Sequence, residues 1–117
     1  MLLFINPLLF LLERLMGDKD LEKMIIGAFL GEIPQQIDML KHEIADKDLV
    51  SARIQAHAIR GASANLAANA LQQAAHNVEI TAEMGDLDGL TALVSIVEAE
   101  FDLFEKKIQH TGILINA

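Results

Sequence analysis

The sequence contains no cysteine in its 117 residues. This absence excludes disulfide bonds, thiolate chemistry and cysteine-based zinc sites, and it is compatible with a reducing compartment. Basic residues are also few, because nine lysines and arginines are set against 17 aspartates and glutamates, for a net charge of −8. A nucleic-acid-binding protein neutralises phosphates with positive charge, so this balance argues against a nucleic-acid partner.

No apolar run in the sequence is long enough to span a bilayer. The opening twelve residues are mostly apolar, but Asn6-Pro7 interrupts them and Glu13-Arg14 follows. A positive n-region and a small-residue cleavage site, which a signal peptide needs, are also missing. We expect instead a short helix over about residues 7–16 whose apolar face covers one end of a helical bundle. An exposed apolar tail or an interfacial anchor is the alternative.

Apolar residues make up 52% of the chain and recur at helical spacing. This content excludes a disordered chain, and the length predicts a single domain over residues 1–117. Spacings of three and four predict long helices over about 19–45, 48–66, 69–84 and 88–110. The apolar seams run through Ile26, Leu30, Ile33, Ile37, Leu40 and Ile44, then Leu49, Ala52, Ala56, Ile59, Ser63 and Leu66, then Leu71, Ala74 or Ala75, Val78 and Ala82, and finally Leu90, Val94, Val97, Phe101, Phe104 and Ile108.

Short connections join these helices, and no alternating strand pattern competes with them. Candidate N-caps are Asp18 or Asp20, Asn69, and Asp86 or Asp88. Pro34 lies inside the first long helix without changing the phase of the seam, which predicts one bent helix. The fold class is therefore all-α, an antiparallel up-down four-helix bundle with the short N-terminal helix laid across one end.

One histidine lies away from the seams. His57 is about 130° from the centre of its helix's seam on a helical wheel of 100° per residue. Its face also carries Val50, Arg53, Ile54, Gly61 and Ala64. Between residues 49 and 82 the only charged side chains are two arginines and one glutamate, so this part has a net charge of +1 and the remainder −9. An exposed histidine among aliphatic and small residues is typical of a binding surface.

Arg60 and Gly61 follow His57 by three and four residues, which places both one helical turn away on the same face. An arginine supplies a permanent positive charge and a fork of donors that suits a phosphoryl group. A glycine costs a helix about 1 kcal/mol relative to alanine, but it leaves the surface beside the imidazole free of a side chain. The arrangement suits a histidine that carries a phosphate and is reached by a large partner.

The run from His57 to Asn65 resembles the signature of histidine phosphotransfer (HPt) domains, the relay modules of multistep two-component signalling. Glu79, 22 residues after His57, occupies the position where that family usually has Glu or Gln. A weaker resemblance covers residues 11–18 and 29–37. Ala67 departs from the pattern, because the family often has glycine there, and the departure concerns the turn between two helices.

The resemblance implies a role for each residue of the motif. His57 would accept the phosphoryl group on Nε2, Glu79 would accept a hydrogen bond from the other ring nitrogen, and Arg60 would offset the phosphoryl charge. Val50, Arg53, Ile54, Gly61 and Ala64 would contact the partner. The partners would be response-regulator receiver domains and a sensor or hybrid histidine kinase. The resemblance implies a cytoplasmic phosphocarrier, expected to be a monomer, that is not an autonomous catalyst and needs no cofactor, with Mg²⁺ held by the receiver.

Two other classes of protein are alternatives. A di-iron bundle would use Glu-x-x-His motifs, but none of the four histidines has an acidic residue three positions before it. A non-catalytic bundle that inhibits or scaffolds a kinase or receiver would not need a reactive imidazole. We expect His42, His76 and His110 to be ordinary surface residues. Gln55 and either Gln72 or Gln73 are candidates for the edge of the site. The sequence leaves open whether the chain is free-standing or part of a hybrid kinase.

Overall fold

The computed structural model describes residues 18–110, in which all regular structure is helical. The helices are α1 (Lys19–Ala45), α2 (Leu49–Asn65), α3 (Asn69–Glu83) and α4 (Leu87–His110). Their ends lie within one residue of the positions that the apolar periodicity predicts. Within the described range, no helix is both long and apolar enough to cross a membrane. The predicted short helix over residues 7–16, and the tail from residue 111, lie outside the described residues.

Each helix packs against the next along the chain, and α1 also packs against α4, which completes a four-helix bundle. The predicted seams form its core, except that Leu30, Leu49 and Phe104 are only partly buried. Phe29 is buried more deeply than its neighbour Leu30. The Phe29 ring centroid lies 5.5 Å from that of Phe104, so an aromatic contact joins α1 to α4. This edge-to-face contact explains why Phe29 takes the core position.

Pro34 is accommodated in α1 without ending the helix, which runs unbroken from Lys19 to Ala45. The proline lies on the exposed side. Next to it, the Gln35 side chain donates a hydrogen bond to the carbonyl of Gly31 at 3.3 Å. The prediction of a single helix through Pro34 is therefore confirmed.

The first three helices all end in the same backbone motif. The residue that follows each C-cap has a positive φ: 61° at Lys47, 53° at Ala67 and 77° at Gly85. At the end of α2, the Ala68 N–H bonds the Ser63 carbonyl at 2.9 Å, the six-to-one bond of a Schellman motif. A left-handed conformation costs a residue with a Cβ about 1–2 kcal/mol. Ala67 therefore adopts the conformation for which glycine is favoured, in spite of its side chain.

The starts of the helices are not equivalent. Asp48 accepts a hydrogen bond from the Ser51 N–H at 3.1 Å, and Asp86 accepts one from Gly89 at 3.0 Å. At α3 the N-cap is Ala68, which provides no side-chain bond. The prediction that Asn69 is the N-cap is wrong, because Asn69 is already the first helical residue. The connection between α2 and α3 thus has neither a glycine nor a capping side chain.

Candidate functional site

His57 lies in the middle of α2 on the side away from the core. Its side chain is 61% exposed, whereas Ala52, Ala56, Ile59 and Ser63 of the same helix are buried. The exposure expected from the helical wheel is therefore found in the structure. The imidazole is accessible to a partner without any movement of the bundle.

Glu79 of α3 holds the imidazole from one side. The distance from His57 Nδ1 to Glu79 Oε2 is 2.9 Å, and the glutamate side chain is only 14% exposed. No hydrogen bond or ion pair within residues 18–110 involves His57 Nε2. The glutamate predicted from sequence to lie beside His57 does so, and it leaves the second ring nitrogen unpaired.

Arg60 lies against both of these side chains. Its Nε is 2.8 Å from Glu79 Oε1, and its Nη2 is 3.0 Å from His57 Nδ1. The Nε–Oε1 contact is an ion pair without hydrogen-bond alignment, since neither atom has a hydrogen-bond partner among residues 18–110. If the Nδ1–H of His57 donates a hydrogen bond to Glu79, Nδ1 cannot also accept a hydrogen bond from Arg60. The Arg60 position is then explained by attraction to the carboxylate.

Electrostatics favour the ionised form of Glu79. Partial burial raises its pKa, but the hydrogen bond from His57, the positive charge of Arg60 and the charges of His57 and His76 in their protonated forms outweigh this, so the pKa lies below the ordinary value of 4.5. An ionised carboxylate only accepts hydrogen bonds, and the proton between Oε2 and the imidazole therefore belongs to Nδ1. In the neutral imidazole, whose single proton is then on Nδ1, Nε2 carries a lone pair.

His76 is the residue of this cluster that our sequence interpretation missed. Its Nδ1 lies 3.8 Å from Glu79 Oε1, and its side chain is 40% exposed. The interpretation of His76 as an ordinary surface residue is therefore incomplete. Its spacing of three residues from Glu79 was the available signal, because residues at i and i+3 share a helix face.

The residues predicted to contact a partner form a continuous exposed face on α2, here called the α2 face: Val50, Ile54, His57, Gly61 and Ala64. Arg53 is half-buried beside it. A Cβ built on Gly61 has no neighbouring atom within 4 Å, so nothing among residues 18–110 requires a glycine there. The absence of a side chain at Gly61 therefore matters for a partner that approaches this face.

The remaining candidates are distributed more widely. His42 and His110 are exposed on α1 and α4, as expected for surface residues. Gln55 and Gln72 are half-buried, whereas Gln73 is exposed and bonded to Asn77 of its own helix at 3.0 Å. Among the described residues, no group of three or more His, Cys, Asp or Glu side chains has an arrangement that could hold a metal ion.

Replacement of Glu79 by glutamine is expected to lower the free energy of unfolding at pH 7 by about 1 kcal/mol, the scale of one hydrogen bond. Because the folded-state pKa is below 4.5, the carboxylate stabilises the fold above that pH and loses this contribution as the pH falls through the folded-state value. Denaturant titrations should therefore show a difference between wild type and variant that persists from pH 7 to 5 and disappears on further acidification.

Glu83→Gln is the matched control for this measurement, since Glu83 is an exposed glutamate on the same helix. Its unfolding free energy should stay close to wild type throughout. A Glu79→Gln difference that is the same at pH 7 and pH 3 would contradict the ionised state assigned to Glu79.

Comparison with known protein families identifies one match. The family model described as "Hpt domain" matches residues 24–107, which is well over half of the chain. The match includes all of α2 and α3 and therefore every residue of the cluster around Glu79. Comparison with curated proteins and with solved structures gives no significant match.

Proposed function

Because this chain belongs to the Hpt domain family, we propose that it relays a phosphoryl group between receiver-domain aspartates through a phosphohistidine at His57. Hpt domains take part in phosphotransfer in two-component phosphorelays, as phosphocarrier modules and not as catalysts in the usual sense. The family interacts with receiver domains and histidine kinases. Beyond these family properties, we propose which residue carries the phosphate, which side chains orient and activate that residue, and which surface binds the partner.

The observation that carries the proposal is the pairing of His57 Nδ1 with the ionised, largely buried Glu79 at 2.9 Å. A proton held on Nδ1 leaves the lone pair of Nε2 available, and the adjacent carboxylate increases its basicity. The Nε2 lone pair attacks the phosphorus of an aspartyl phosphate. The N–P bond forms, the bond from phosphorus to the aspartate oxygen breaks, and the aspartate leaves as a carboxylate. Transfer to a second receiver reverses these steps.

Arg60 supplies positive charge beside the ring that would carry the phosphoryl group. Its Nη2 is 3.0 Å from His57 Nδ1, and its contact with Glu79 fixes the guanidinium on that side of the imidazole. A phosphohistidine adds negative charge next to Glu79, which repels it. The fixed guanidinium offsets both charges, and we assign this role to Arg60.

The α2 face is the proposed docking surface for the receiver, with Arg53 at its edge. Val50 and Ile54 present exposed aliphatic side chains on one side of His57. On the other side, Gly61 has no side chain and Ala64 only a methyl group, so neither residue projects above the imidazole. An apolar surface around a single reactive group suits a partner that must bring its own acidic pocket close to the imidazole. Mg²⁺ and that pocket belong to the receiver, so the chain itself needs no cofactor.

Three further properties complete the proposal. The short connections favour an antiparallel up-down order of neighbouring helices. We also propose that the protein acts as a monomer, since one copy carries every residue of the proposed transfer site. It works in the cytoplasm, where receiver domains and the cytoplasmic parts of histidine kinases are found.

The experiment that tests the proposal is phosphate transfer from a labelled, phosphorylated receiver to the purified chain. We expect the chain to acquire a label that is lost in acid and kept in base, as a phosphoramidate is, whereas an acyl phosphate is lost in base. Binding of the receiver without acquisition of label would contradict the proposal and would favour a scaffold or inhibitor bundle.

A further inference from the structure

Three polar side-chain atoms are buried together in the cluster without a hydrogen-bond partner among the described residues: Arg60 Nε, His76 Nδ1 and Glu79 Oε1. The glutamate oxygen lies 2.8 Å from the arginine nitrogen and 3.8 Å from the histidine nitrogen. Burial of a polar atom without a partner costs about 1–3 kcal/mol. Two nitrogens therefore converge on one carboxylate oxygen that has an ion-pair contact but no hydrogen bond within residues 18–110.

The approach of His76 Nδ1 to Glu79 Oε1 favours the forms of His76 that carry a proton on Nδ1. A lone pair on Nδ1 would face the lone pairs of Oε1 and be repelled, whereas a proton on Nδ1 would point to an acceptor. The distance of 3.8 Å exceeds the usual N–H···O separation by about 1 Å, so a small side-chain rotation is needed to form the bond. Since His76 and Glu79 lie one turn apart on α3, this bond requires no movement of the helices.

We propose that His76 is a positioning residue for His57: its Nδ1–H holds Glu79 Oε1 so that Oε2 stays aligned with His57 Nδ1. Arg60 fixes the same carboxylate from α2, so the glutamate is held by both helices of the site. Without His76, Arg60 alone would hold Glu79 Oε1, and the carboxylate could turn Oε2 away from His57 Nδ1. His57 would then lose the acceptor that keeps its proton on Nδ1, which is the condition for a nucleophilic Nε2.

The consequence for phosphate transfer rests on the proposed function, but the orientation of His57 can be measured without phosphate. In the ¹⁵N-labelled full chain at about pH 8, where an ordinary imidazole is neutral, NMR distinguishes the two tautomers by the shifts of the ring nitrogens. We expect wild-type His57 to carry its proton on Nδ1. In His76→Ala, the His57 nitrogens should shift towards the values of a tautomer mixture.

A conservative variant separates positioning from mere packing. The side-chain amide of asparagine presents an N–H close to where histidine presents Nδ1–H, so His76→Asn should restore the wild-type tautomer. Transfer from a phosphorylated receiver should fall about tenfold in His76→Ala, as is typical when a group that orients a reactive side chain is removed. His76→Asn should recover most of this loss, and His42→Ala, which removes an exposed histidine on α1, should show none.

Two results would overturn the inference: an unchanged His57 spectrum in His76→Ala, or a His76→Asn variant that behaves as His76→Ala does. A wild-type protein that fails to accept phosphate while its His57 signals still respond to His76→Ala would support the positioning role. That result would reject only the proposed function.

Discussion

Replacement of His57 by glutamine is expected to abolish acquisition of phosphate from a phosphorylated receiver, because glutamine has no nucleophilic nitrogen. The fold should remain intact, since a side chain that is 61% exposed leaves no cavity when it is changed. Glu79 loses one donor but keeps its contact with Arg60, so the free energy of unfolding should change by less than about 1 kcal/mol. Labelled-phosphate transfer and thermal unfolding of the same preparation measure the two effects.

His42→Gln is the matched control for this variant. His42 is also an exposed histidine in a helix, but it lies on α1, and its ring is bonded to the backbone carbonyl of Asp38 at 2.8 Å. This variant should accept phosphate at the wild-type rate. If His57→Gln still accepted phosphate, the phosphoacceptor would have to be another residue. If it unfolded, the exposed placement of His57 would be wrong.

The second large effect is expected when a long side chain replaces Gly61. Glutamine at this position would extend from the α2 face one turn from His57 and occupy the space that a receiver needs. Receiver binding and the rate of transfer should both fall by tenfold or more, which corresponds to about 1.4 kcal/mol or more of lost docking energy. The helix itself should be stabilised by roughly 0.5–1 kcal/mol, because any glycine inside a helix is unfavourable.

Gly27→Gln provides the same chemical change at a different surface. Gly27 is an exposed glycine inside α1, and a Cβ there also has no neighbour within 4 Å. Both variants should therefore be more stable than wild type, and only Gly61→Gln should impair transfer. Equal transfer rates in the two variants would remove the argument that Gly61 provides access.

Much of the fold could be predicted from the sequence because each long helix has a single apolar seam. The seams predict which residues face the core, but they do not reveal how the side chains of different helices fit together. Phe29 illustrates this limit, since its deep burial depends on Phe101 and Phe104, whose helix lies more than forty residues away in sequence. The Schellman ends at Lys47 and Ala67 were equally hidden, because neither residue type favours a left-handed backbone.

The site was predictable to a different extent for each residue. The exposure of His57 follows from its angle to the seam of α2, which is a local property. Its contact with Glu79 depends on the register between α2 and α3, a tertiary property, and only the resemblance to a known family suggested it. His76 was missed because the burial of its Nδ1 and the direction of the Glu79 carboxylate cannot be obtained from spacing alone. The roles of His57, Arg60 and Glu79 in transfer remain predictions.

The connection between α2 and α3 has a consequence for how the site fails. With a strained alanine at one side and no capping side chain at the other, the loop fixes the start of α3 mainly through the buried side chains of Leu66 and Ala68. The alignment of Glu79 with His57 is then maintained by the buried seam of α3, which includes Ala74, Ala75 and Val78. Because Glu79 lies ten residues beyond Asn69, fraying at the start of α3 leaves the carboxylate in place, and only loosening of the buried seam shifts it. Reactivity of the imidazole should therefore be lost together with the cooperative melting of the domain, and not at lower temperature.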